Sequence, residues 1–78
     1  MKVFIVLKWS DFKNGGNEAN VLGIYNNVYT AYNTAKVTAE KGSFDLEWEL
    51  NEIQNGYQIT DGEDYILFEV KESDYSPN

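Results

Sequence analysis

Only one segment of this 78-residue chain repeats its apolar residues at the spacing of a helix. Between Asn27 and Gly42, the residues Val28, Ala31, Tyr32, Ala35 and Ala39 recur three or four positions apart. Asn27 stands where an N-cap belongs and Gly42 where a left-handed residue would end the helix. The stripe is mostly alanine, so such a helix can lie close on a sheet but cannot make a core alone. Every other apolar stretch is short and β-patterned, which restricts the chain to an α+β domain. The expected form is a single helix packed on a small antiparallel or mixed β-sheet, in the order β-β-α-β-β-β.

The strands follow from alternation and from turn residues. Positions 2–9 carry two apolar faces (Val3, Ile5, Leu7 and Trp9 against Phe4 and Val6), as a central strand covered on one side would. Asn14-Gly15-Gly16 permits a turn with positive φ, and a second strand follows at 20–25, with Gly23 marking a bulge or close packing. After the helix, Phe44, Leu46, Trp48 and Leu50 alternate with Asp45, Glu47 and Glu49. Side chains on a strand point to opposite faces in turn, so this predicts a strand over 44–54 with one apolar and one carboxylate face. Asn55-Gly56 is a strong hairpin signal into 57–60, and Asp61-Gly62 turns the chain into a last strand at 64–71. Trp48 and Tyr57 read as core and cross-strand packing. The domain is expected to span 1–72, with 73–78 as a flexible C-terminal tail.

Charge is the unusual property. Thirteen acids face six lysines, with no arginine or histidine, for a net charge of −7. Residues 1–42 hold three acids and five lysines, whereas residues 43–78 hold ten acids and Lys71 alone. Such a field repels nucleic acid and anionic membranes and draws basic partners. No apolar run approaches the roughly 18 residues of a membrane span, no secretory leader is evident, and there is no cysteine. The expectation is a soluble, unprocessed, cytoplasmic protein.

Catalysis has little to work with. Without histidine, cysteine or arginine, the usual general base, thiol nucleophile and oxyanion clamp are missing. Paired carboxylates could run glycoside hydrolysis, but a one-helix domain offers no deep cleft in which to desolvate one of them. The chain reads as a non-enzyme without cofactor. Asp61-Gly62-Glu63-Asp64 lacks the spacing of a calcium loop, and zinc's usual ligands are absent, so no metal is expected. Gly15-Gly16 lacks the lysine of a phosphate loop.

The remaining chemistry is the carboxylates. Same-face residues on a strand are about 6 to 7 Å apart, on the scale of successive phosphates in one DNA strand. Asp45, Glu47 and Glu49, widened by Glu52, Asp61, Glu63, Asp64, Glu69 and Glu72 on adjoining hairpins, are therefore the candidate partner-binding residues. Like charges held on one face repel, and a cationic groove would relieve them. A competing reading is a protein or peptide interaction module that uses a sheet edge, with the acids serving solubility. A homodimer through edge strands or exposed aromatics such as Tyr29 and Trp9 is a further expectation.

The opening KVFIVLKW, the segment VLGIYNNVYTAYNTA entering a helix and the closing YILFEV resemble a family of small bacterial and phage domains. That resemblance covers most of the chain and implies a fold rather than an activity. In size and charge the chain is also similar to phage acidic inhibitors that imitate DNA and target HU-type nucleoid proteins or CRISPR effectors. It implies a cytoplasmic DNA-mimic inhibitor that binds and blocks the DNA-binding surface of a basic host protein, and it transfers no individual residue.

Overall fold

In the computed structural model, which describes residues 1–75, the Asn27 side chain opens the helix. Its Oδ1 accepts hydrogen bonds from the Tyr29 and Thr30 amides at 2.8 and 3.2 Å, satisfying two donors that the first turn leaves without partners. The helix, α1 (Val28–Leu46), buries Ala31, Ala35 and Ala39 completely. Alanine at each contact brings its backbone close to a five-stranded, wholly antiparallel sheet.

The strands are β1 (Lys2–Asp11), β2 (Glu18–Tyr25), β3 (Glu49–Ile53), β4 (Gly56–Thr60) and β5 (Tyr65–Asp74), in the spatial order β2-β1-β5-β4-β3. The fold is therefore α+β with the element order expected from the sequence. β1 lies inside the sheet and pairs with β5 along its whole length. Val6 opposite Val70 and Ile59 opposite Ile66 fix which side chains share a face. Val6, Ile59, Ile66, Phe68 and Val70 are buried under α1, and Trp48 and Tyr57 pack against them.

Two turns form as their glycines require. Gly15 and Gly16 take φ values of 92° and 82°. At Gly56, a Cβ would run into the carbonyl oxygen of Phe68 on the neighbouring strand, so no other residue fits the β3–β4 turn without displacing β5. Gly23 stands beside the irregularity between Val6 and Leu7, where Leu22 is the extra residue of β2.

The largest departure from expectation is at 43–48. The helix does not end at Gly42 but runs to Leu46, so Asp45 is helical and the strand expected from Phe44 starts only at Glu49. Gly42 continues the small-residue stripe: a Cβ there would lie 3.0 Å from Ile59 Cδ1, so the glycine serves close approach of α1 to β4. Glu47, at φ 57° and ψ 39°, is the left-handed residue that ends the helix, and the Trp48 amide donates to the Ser43 carbonyl at 3.0 Å. Ser43 also donates its hydroxyl to the Trp48 carbonyl. The tail expected over 73–78 overlaps the last strand. Ser73 and Asp74 belong to β5, and the Tyr75 amide donates to the Met1 carbonyl at 2.7 Å; positions 76–78 lie outside the described residues.

Candidate functional site

The strand bearing three carboxylates in line does not form. Asp45 lies in the last turn of α1, Glu47 caps it, and Glu49 is the first residue of β3. The alternating apolar set breaks up too. Phe44 is 84% exposed and Leu46 48%, while Trp48 alone packs on the core. Helical hydrogen bonding through Leu46 replaces a period of two by one of 3.6, so residues expected on one face point around the helix.

The fold nevertheless collects carboxylates at one end of the sheet. All five strands terminate there in register: Glu49 opposes Thr60, Thr60 opposes Tyr65, Tyr65 opposes Asp11, and Ser10 opposes Glu18. The β4–β5 turn with Asp61, Glu63 and Asp64 closes the same end, and α1 delivers Asp45 and Glu47 to it just before β3. Six of the nine candidate acids (Asp45, Glu47, Glu49, Asp61, Glu63 and Asp64) thus share one rim, joined by Asp11 and Glu18.

The other three stand elsewhere. Glu52 lies on β3, past the rim and beside Tyr57 on the helix-covered face. Glu69 points to the opposite face of the sheet, and Glu72 sits toward the far end of β5, where Lys2 Nζ approaches it to 3.3 Å.

Turn chemistry organises the rim. Asp61 Oδ1 accepts from the Asp64 amide at 2.8 Å and the Glu63 amide at 2.9 Å. The amides of Asp64 and then Glu63 hold the exposed Asp61 carboxyl below the usual aspartate range, so it stays charged. Asp64 in turn accepts from the Lys13 amide at 2.9 Å, tying the β1–β2 loop to the β4–β5 turn. Lys13 Nζ lies 3.6 Å from Glu63, and with both side chains about two-thirds exposed the pair adds little stability.

The helix adds to the same field. Its last turn contains no basic residue, and its carboxyl end carries a partial negative charge of roughly half an electron. Lys36 and Lys41 would offset this charge in a helix ending at Gly42, but they lie outside the last turn of one that runs to Leu46. With the end at Leu46, Asp45 and Glu47 sit at the pole that disfavours them, each costing up to about 1 kcal/mol.

The rim residues that sequence reasoning missed are Asp11 and Glu18. They flank the glycine loop, which is a local signal, but their placement at the same end of the sheet as Glu49 depends on pairings between distant strands. Among the described residues no group of three or more histidine, cysteine, aspartate or glutamate side chains is arranged to hold a metal ion, and no helix is long and apolar enough to cross a membrane. The strongly polar rim is thus built from segments some fifty residues apart in sequence, and compared with protein-family models, curated proteins and solved structures the chain matches none.

Proposed function

We propose that the protein is a non-enzymatic acidic inhibitor that occupies the DNA-binding surface of a basic host protein, an HU-type nucleoid protein being the first target to test. One observation carries this reading: eight carboxylates and the negative pole of α1 meet at one end of the sheet, where each raises the cost of the others. Five strands about 4.8 Å apart make that rim about 19 Å wide. Duplex DNA at one charge per 1.7 Å carries about eleven charges over the same length. The two densities are comparable, and a lysine- or arginine-lined groove would offset the repulsion the fold maintains.

The test is binding to a purified HU-type protein, read by titration at several salt concentrations with duplex DNA as competitor. Mimicry requires affinity that falls steeply with salt and is lost to DNA. Reversing Asp45, Glu47 and Glu49 to lysine should abolish binding, whereas reversing Glu52 and Glu72, which lie off the rim, should weaken it far less. Unchanged affinity of the rim variant would reject mimicry through this end of the molecule.

A further inference from the structure

α1 covers only one face of the sheet, and β1 turns its longer apolar set away from it. Val6 and Phe4 lie under the helix, whereas Val3, Ile5, Leu7 and Trp9 lie on the other side. Register places Val21 and Ile24 of β2 and Leu67 of β5 on that same side, where Val21 is 59% exposed and Ile24 62%. Toward β4 and β3 the face becomes polar, and Asn51 donates to Gln58 across the two strands at 3.4 Å. The apolar area therefore has a boundary, and it coincides with three strands.

We propose that this face is covered by a second copy of the chain, with the two sheets packed face to face about a twofold axis. Three observations favour a like copy over another occupant. The first is charge: in a chain of net charge −7, the three-strand apolar area carries Glu69 and Lys71, which cancel, and Asp11 alone at its rim end. Two copies meet less repulsion here than elsewhere, and a twofold relation lets Glu69 of each face Lys71 of the other.

The second is area. Three strands about 4.8 Å apart and nine residues long at about 3.4 Å make about 400 Å² of flat sheet per copy, before side-chain relief is counted. The pair then approaches the ~1,000 Å² of the smallest specific interfaces, which predicts a dimer that dissociates on dilution. The third is the state of the edges. β3 is five residues long and carries Glu49 and Glu52, and β2 is bulged at Leu22, so neither edge offers a long flat template for strand addition. Contact through the face is what remains. Of the eight rim acids only Asp11 stands on the covered face of these three strands, so the rest of the rim stays free and this association does not depend on the proposed inhibition.

Sedimentation velocity of the full chain over a dilution series tests the proposal. The mass should move from 9.0 kDa toward twice that value as concentration rises to hundreds of micromolar, and added salt should not reverse the shift. Ile24→Asp and Val21→Asp alter exposed side chains and should hold the protein at 9.0 kDa throughout, with an unchanged far-ultraviolet circular dichroism spectrum. Val37→Asp changes a 54% exposed residue on α1 and should associate as the original chain does. A monomer at every concentration, or an Ile24→Asp variant that still dimerises, would overturn the proposal; so would loss of association in Val37→Asp, which would move the contact to the helix.

Discussion

The two faces of this sheet are built from the same strands and differ in what covers them. On β5, Phe68 is 2% exposed beneath α1, while its neighbour Leu67 points to the uncovered side and is only half-buried. On β1 the disparity runs against the count of apolar residues, since the face with two large side chains, Phe4 and Val6, received the helix. Apolar residues on a strand therefore report that a face is fit for burial, and the partner strand's register decides which face is buried. β5 places Ile66, Phe68 and Val70 beside Val6, and that shared surface is the one α1 covers.

The largest test of this contrast is Phe68→Ala against Leu67→Ala. Emptying the Phe68 site should cost about 3 to 5 kcal/mol in urea denaturation, and Leu67→Ala about 1 kcal/mol in dilute protein. Equal losses would mean that both faces are covered under those conditions. Next in size is Ala35→Leu, which forces a larger side chain into the close contact between α1 and the sheet. It should cost about 1 to 3 kcal/mol, whereas Val37→Leu on the outer side of the helix should stay within about 0.5 kcal/mol. If Ala35→Leu were neutral, the helix would not be held against the sheet by its small residues.

Asn27→Ala removes the acceptor of two amides and should lower stability by about 1 kcal/mol by the same denaturation measurement. The smallest effect concerns pH and Asp61. Its carboxyl is held below the usual aspartate range in the folded chain, so its contribution is present at neutral pH and is lost as pH falls through that lowered value. Asp61→Asn should therefore be less stable than the original chain near pH 7, and the difference should shrink in acid. A stability gap independent of pH would show that hydrogen-bond geometry, and not charge, is what the turn uses.

Much of the fold was legible in the chain. The Asn27 cap, the alanine stripe, Asn55-Gly56 and Asp61-Gly62 each act through a few neighbouring residues, so local chemistry suffices to read them. The stretch 43–48 was not, because its alternation fits a strand while its continuation of Ala31, Ala35, Ala39 through Gly42 and Leu46 fits a helix. Contact of Gly42 with Ile59, about seventeen positions away, favours the helix. For the same reason the acids were legible as an excess in the second half but not as a surface: the strand row at Asp45, Glu47 and Glu49 dissolved, and a rim that includes Asp11 and Glu18 replaced it.

The sequence by itself determined that one alanine-faced helix would lie on a small antiparallel or mixed sheet, that tight turns would fall at Gly15-Gly16, Gly56 and Gly62, and that negative charge would dominate after Gly42. These depend on backbone preference, side-chain period and composition, which are properties of short segments. Only the tertiary structure decided where the helix stops, which face of β1 it covers, and that eight carboxylates from four separate segments reach one end. Those outcomes depend on register and on contacts between strands remote in sequence, and a one-residue change of register exchanges the faces without altering any local pattern.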